Sequence, residues 1–385
     1  MQRLSNVLSR RAKVAIAATV VLGLAGGLAT GDPASADPKQ FAAAIGTGSD
    51  TTQDVLNGMA GFANGTNFTP VQSTDASKRQ IVSWDATGTT CITPKAPGAT
   101  FLRPNGSTNG RRALSRAIDG GLWGNGVDCG GNKSMTGLVQ FARSSAGPSG
   151  TGTNLTYIPF GRDGMSYGYY APGVGSPVTT LTSIELNTLF TAGPQTISGV
   201  QIVPCSIQLG SGTYQFWNTA LGVSAAQMAA ATASCTPAGQ EIQENDANGL
   251  KAKGDALGTG KQYIIGFSAA NFVSQTNGVA GSQLPAPLGT VDLGAIDALG
   301  KPYTGPVAGP IAPSSTFYAS TTYGRNVYNV LPTSVATGLG NADMKSLFVG
   351  SGSAVCSATS TISSFGFLTL GTGCGTTTTQ GPLVA

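Results

Sequence analysis

The chain has 385 residues, with 56 Gly, 21 Pro, six Cys, no His, and only 10% charged side chains. Without His no Ser-His-Asp triad can form, and the Cys spacing contains no Cys-x-x-Cys that would suggest a zinc site. The formal charge of +4 sits largely in the first residues, so no basic face for nucleic acid or for an anionic membrane is implied.

Residues 1–36 read as a signal peptide. Arg3, Arg10, Arg11 and Lys13 form a basic region, Val14 to Thr30 is apolar, and Ala34-Ser35-Ala36 fits a small-residue cleavage site. This leader holds four of the 21 basic and one of the 17 acidic residues, which leaves 17 against 16 in the 349 residues from Asp37 onward. Ser9-Arg10-Arg11 hints at twin-arginine export, although Ala12-Lys13-Val14 continues that signal poorly. The first Cys is Cys91, far from the cleavage site, so a secreted, extracellular protein without a lipid anchor is expected. In that compartment an even number of Cys reads as a disulfide framework. The sequential set Cys91–Cys129, Cys205–Cys235 and Cys356–Cys374 closes modest loops and is the expected pairing.

After the leader, 41–45 reads as a strand and Thr51 to Ala60 as a helix capped by Ser49 or Asp50. Gln80 to Trp84 is a second strand, and Ser107 to Ile118 a helix. Arg111 and Arg112 at its start are expected in solvent, as most exposed arginines are. Leu138 to Ala142 reads as a buried strand ending in Arg143-Ser144-Ser145. Leu155 to Phe160 and Ser166 to Tyr170 follow as crossover strands, with Arg162-Asp163 between them as a salt bridge. Thr182 to Phe190 is an amphipathic helix capped by Thr180 or Thr182. Val200 to Val203 is extended, and Ser224 to Ala231 and Glu241 to Ala252 read as helices, the latter polar and exposed. Tyr263 to Phe267 is a core strand. The Pro- and Gly-rich 278–315 reads as a long surface excursion, and Arg325 to Leu331 as the return crossover. No segment after the leader is long and apolar enough to insert in a membrane.

Three loops share one chemistry. Gly46-Thr47-Gly48-Ser49-Asp50-Thr51-Thr52, Asn105-Gly106-Ser107-Thr108-Asn109-Gly110 and Gly210-Ser211-Gly212-Thr213 each precede a predicted helix. The first N–H groups of a helix lack intrahelical partners and lie at the positive end of its dipole, so converging helix starts rich in hydroxyls suit a small oxyanion. Gly212 lets backbone approach such a ligand closely. Arg143, at a strand's C-terminal edge, offers a bidentate guanidinium.

Taken in order, Gly46–Asp54, Arg103–Leu114, Phe141–Pro148, Leu155–Tyr167, Leu181–Phe190 and Gly210–Trp217 resemble the phosphate-binding proteins of ABC uptake systems. The resemblance is strongest to the secreted branch from high-GC Gram-positive bacteria. It implies an α/β, two-lobed type II periplasmic-binding-protein fold, with two Rossmann-like lobes joined by two crossover segments. Residues 37–158 and 322–385 would form lobe 1, and 159–321 lobe 2. It implies a monomer that captures inorganic phosphate or a related oxyanion between lobes, with an ABC permease as the partner it would serve. Neither catalysis nor a cofactor is implied. The ligand set carried over is Ser49, Asp50, Thr51, Ser107, Ser145, Ser211, Gly212 and Thr213, with Arg143 added from the strand edge. Ser145 stands where the family has a carboxylate, and Ile207 where it has an Arg. Asp50 and Arg143 are the expected replacements, Asp50 accepting the proton that phosphate keeps near neutral pH. The competing class is a secreted structural or adhesive protein that uses this fold without an anion. Gly164-Met165-Ser166-Tyr167-Gly168 matches a nucleophile-elbow pattern and Gly258-Thr259-Gly260-Lys261 part of a phosphate loop; both read as turns.

Overall fold

Leu155–Tyr170 forms a single strand of 16 residues that is buried almost throughout. Leu155 and Tyr157 enter one apolar cluster, Ile158 and Phe160 the cluster on the opposite face, as the two-residue period of a strand requires. Helices or loops cover both faces, which is why the strand reads as apolar nearly throughout. The polar pair Arg162-Asp163 does not end it. Those residues lie opposite Asn326 and Arg325 of the return strand Gly324–Pro332, and their polar groups are satisfied there. Pro159, which has no N–H to donate, falls beside a register shift between Pro159 and Gly161.

The computed structural model describes residues 44–95 and 97–385. The expected leader 1–36, its cleavage after Ala36 and residues 41–43 of the first expected strand lie outside the described residues. All described residues belong to one compact unit. No helix among them is long and apolar enough to cross a membrane.

The fold is mixed α/β around one large sheet. Its path runs Gln195–Ile197, Val200–Pro204, Lys261–Ser268, Leu155–Tyr170, Gly324–Pro332, Phe141–Ser144, Ala44–Gly48, Ile81–Ser83. Ala44–Gly48 pairs parallel with both its neighbours and Val200–Pro204 parallel with Lys261–Ser268, while the edge strand Gln195–Ile197 pairs antiparallel with Val200–Pro204. The two crossover segments are themselves the central strands and pair antiparallel. The first part of the long strand faces the return strand, and its last part, Met165 to Tyr170, pairs with Lys261–Ser268. One apolar cluster gathers residues from Met165 to Tyr323, including Trp217 and Phe267. Two more, on either face of the other half of the sheet, draw on Ala44 to Phe160 and on Val327 to Cys374.

Four expectations shift. The strand expected at Leu138 to Ala142 is Phe141–Ser144, because Leu138 closes a turn onto Met135. The stretch 278–315 is not wholly surface: Val291, Leu293 and Ile296 are buried, and Asp292–Leu293 adds a short strand to the long one. The polar helix begins at Ala247, capped by Asp246, so Glu241 to Asn245 is loop. Gly164 to Gly168 lies inside the long strand rather than in a turn, and the Ser166 hydroxyl donates to the Gly294 carbonyl. The three disulfides form as the sequential set, Cys91–Cys129, Cys205–Cys235 and Cys356–Cys374.

Helix Gly212–Leu221 is set against strand Lys261–Ser268 through Trp217, whose indole lies over Gly266. A methyl on Gly266 would come within 2.7 Å of the Trp217 ring. Gly266→Ala is expected to cost about 1–3 kcal/mol, the usual penalty for overfilling a packed core, read as a lower urea midpoint with an unchanged slope.

Candidate functional site

The three hydroxyl-bearing loops meet at one buried place. The Thr51 and Thr213 hydroxyl oxygens are 2.9 Å apart. The Ser107 hydroxyl accepts from the Ser145 N–H at 3.1 Å and lies 3.3 Å from the Ser145 Oγ. A Cβ built on Gly212 would fall 2.4 Å from Ser107 Oγ and 2.5 Å from Ser145 Oγ, so only glycine permits this approach. Thr51, Ser107, Ser145, Ser211 and Thr213 are all at most 2% exposed. Four segments far apart in sequence thus place their hydroxyls together.

Local structure explains how each is aimed. Ser211 is the N-cap of Gly212–Leu221, and its Oγ accepts from the Tyr214 N–H at 3.0 Å. The helix Gly106–Asp119 is capped by Asn105, which leaves Ser107 in the first turn with its side chain free to reach Ser145. The first helix, Gln53–Met59, takes Thr52 as its N-cap without a side-chain bond, so neither Ser49 nor Asp50 caps it. Around this centre the two halves of the sheet are tied by direct bonds: Thr108 N–H to Gly210 O at 3.1 Å, Gln208 Nε2 to Asn105 Oδ1 at 2.9 Å, and Arg111 Nη2 to Gln215 Oε1 at 3.1 Å. Arg111 is therefore buried against this seam and not in solvent as expected, whereas Arg112 is exposed.

Arg143 does not join the hydroxyls. Its guanidinium donates to the carbonyls of Ser49, Gly48 and Trp84 and to the Ser83 hydroxyl, all within 3.2 Å. It braces the first loop from beneath, and burial lowers its pKa to about 10. The guanidinium at the centre is that of Arg325, from the return strand. Arg325 donates through Nε and Nη2 to Asp163 at 3.0 and 2.8 Å, and through Nη2 to the Thr213 hydroxyl at 3.0 Å. Its Nη1 is buried with no hydrogen-bond partner. Asp163 also accepts from the Ser268 hydroxyl and the Ala270 N–H, so its charge is well satisfied. The salt bridge expected between neighbours Arg162 and Asp163 is instead this cross-strand pair, because adjacent strand residues point to opposite faces. Arg162 bonds the carbonyls of Tyr318 and Ser320 and the Asn326 side chain.

The carboxylate at the centre is Glu244. It accepts from the Asp50 N–H at 3.1 Å and from the Ser211 hydroxyl at 2.5 Å. Asp50 sits beside it, its Oδ1 accepting from Asn245 at 3.0 Å and its Oδ2 without a partner. Burial first, then the Glu244 charge, push the Asp50 carboxyl well above its ordinary value. Burial and a neighbouring negative charge both disfavour the ionised form, so Asp50 tends to the protonated one. Ser49 Oγ is likewise buried without a partner.

The sequence reading missed Glu244, Asn245, Asp163 and Arg325 as site residues. Glu244 was hidden by a helix boundary placed six residues early; Asp246 as a cap before Ala247 was the available signal. For Arg325 and Asp163, the signal was one basic and one acidic residue, each placed within a largely buried crossover strand.

No protein-family model matches the chain, and no curated protein matches it. Several solved structures resemble it in the course of the chain. A putative phosphate ABC transporter substrate-binding protein with bound phosphate from Clostridium perfringens is 12% identical, with a TM-score of 0.47, covering 85% of this chain and 99% of its own. An ABC-type phosphate transport receptor from Vibrio cholerae is 13% identical with a TM-score of 0.48, over 85% and 99%. A phosphate-binding protein from Stenotrophomonas maltophilia is 12% identical with a TM-score of 0.41, over 85% and 90%.

Two outcomes follow. Asp163→Asn strips the buried Arg325 of its counter-charge and is expected to destabilise by about 3–5 kcal/mol in urea unfolding, while the double change Asp163→Leu with Arg325→Met loses less. Asp54, in the first turn of the first helix, is raised from 3.8 to about 7, mainly by burial and then by the Asp85 charge. A carboxyl whose folded pKa is raised contributes stability below 3.8 and loses it as pH rises through about 7. Asp54→Asn should therefore match the wild-type unfolding midpoint near pH 4 and exceed it progressively toward pH 7; equal midpoints throughout would contradict this.

Proposed function

We propose that the protein is an extracellular solute-binding protein that holds inorganic phosphate or a related oxyanion between the two halves of its sheet and performs no chemistry on it. One observation carries the reading: hydroxyls from four separate segments converge with a buried guanidinium that has an unpartnered N–H. Neutral donors and one guanidinium, dry and fixed in place, are what a small tetrahedral anion needs. Thr51, Ser107, Ser145, Ser211, the Gly212 backbone and Thr213 would supply the neutral contacts, and Arg325 the charge. Arg143 and Ser49 would contribute indirectly, by fixing the first loop. The leader and the three disulfides support an oxidising, extracellular setting, and the protein is expected to act as a monomer that serves an ABC permease.

A second reading, a secreted structural or adhesive protein that keeps the fold without an anion, draws on the seam itself. Its donors already bond one another and Glu244, so the halves hold together unaided.

Calorimetric titration of the protein, stripped of bound anions, with phosphate and then sulfate separates the two. Phosphate binding is expected, and Ser211→Ala combined with Thr213→Val should weaken it at least about tenfold, since two donors are lost from a buried anion. Silence with both anions, and no rise in melting temperature, would favour the second reading.

A further inference from the structure

Glu244 stands where an oxyanion is expected. Oε1 accepts from the Asp50 N–H at 3.1 Å, and Oε2 accepts from the Ser211 hydroxyl at 2.5 Å and the Thr51 hydroxyl at 3.5 Å. These donors come from both halves of the sheet, and all three residues belong to the loops assigned to the anion. The side chain is completely buried. None of the ion pairs among the described residues includes it. A buried carboxylate held by neutral donors alone is bonded as a bound anion would be.

The neighbouring charges agree. The Arg325 guanidinium reaches the same cluster through Thr213, whose hydroxyl touches that of Thr51. Its Nη1 remains buried and unpartnered, a donor that Glu244 does not satisfy. Asp50 carries the other nearby carboxyl, and Asp163 is fully engaged with Arg325. The backbone that bears Glu244 is pinned on both sides. Ile242 bonds Ser206 and Gln208 through its main chain, and Asn245 bonds Asp50. Any exchange at the site therefore involves the Glu244 side chain and not the whole loop.

We propose that Glu244 is an internal ligand of the oxyanion site: its carboxylate occupies the donors in the ligand-free protein, and an incoming oxyanion must displace it. The proposal rests on the oxyanion-binding reading of this site. It makes Glu244 a determinant of affinity. An anion entering beside a second carboxylate is repelled, and it also loses the donors that Glu244 holds. Removing the charge should tighten binding of phosphate and sulfate alike. Removing the whole side chain should leave a gap shaped for a small carboxylate.

The test uses the wild-type protein, Glu244→Gln and Glu244→Ala, each titrated with phosphate and sulfate by calorimetry and melted with and without acetate at fixed ionic strength. Glu244→Gln is expected to bind phosphate at least about tenfold tighter than wild type, because a like charge within a few ångströms is gone. Glu244→Ala should melt below wild type, and acetate should raise its melting temperature while leaving wild type unmoved. Should Glu244→Ala prove too unstable to purify, the near-isosteric Glu244→Gln decides alone. Weaker phosphate binding by Glu244→Gln would overturn the proposal, because the carboxylate would then be a direct contact to the ligand. Equal phosphate binding by wild type and Glu244→Gln would overturn it while leaving the oxyanion reading intact. Acetate rescue of Glu244→Ala with no phosphate or sulfate binding by any form would uphold the internal ligand and remove phosphate as the natural one.

Discussion

The buried pair of Asp163 and Arg325 is the constraint on which the rest of the structure depends. Each residue sits in one of the two central strands, at positions directly opposite in the pairing. Both side chains are at most 2% exposed, so neither charge can be left alone without a large desolvation cost. Asp163 also takes donors from Ser268 and Ala270 at the start of the following helix, while Arg325 reaches Thr213 on the other side. One ion pair therefore fixes the register of the crossover strands, the end of a third strand and one hydroxyl of the site. Phe216 closes over the guanidinium, with 5.5 Å from its ring centre to the guanidinium carbon.

The site is built from this frame outward. Arg143 holds the first loop by its carbonyls, Trp217 seats the helix behind Ser211, and the Cys205–Cys235 disulfide ties down the strand end that leads into that loop. The Ser107, Ser145, Ser211 and Thr213 hydroxyls are each held by a hydrogen bond or close approach to a neighbouring buried segment. The same rigidity explains how Glu244 can be buried: its donors are in place whether or not a ligand arrives. Burial, and then the nearby Glu244 charge, favour the protonated form of Asp50 in this setting.

Much of this was legible beforehand. Many strands and helices followed from periodicity, and Thr182, one of two expected caps, and Ser211, expected at a helix N-terminus, both cap their helices. The disulfide pairing followed from loop length. The three hydroxyl loops were recognisable because Gly, Ser and Thr ahead of an apolar helical run have a local physical meaning. The charged members of the site were not. Arg143 looked like a ligand because it ends a strand among serines, yet backbone carbonyls at the ends of the next two strands capture it. Asp50 looked like an acceptor because it could replace a carboxylate missing at Ser145, but burial and then Glu244, 194 residues away in sequence, favour its protonated form.

The sequence alone therefore determined many of the elements, the covalent cross-links and the hydroxyl-bearing loops, because each rests on interactions within a few residues or on Cys count and compartment. Only the tertiary structure decided which charges face the site. A charge's role depends on what lies opposite it and on how much water is excluded, and both are set by strands and loops brought together from distant parts of the chain. Arg325, Asp163 and Glu244 acquire their meaning only when two crossover strands pair and one loop folds across the seam.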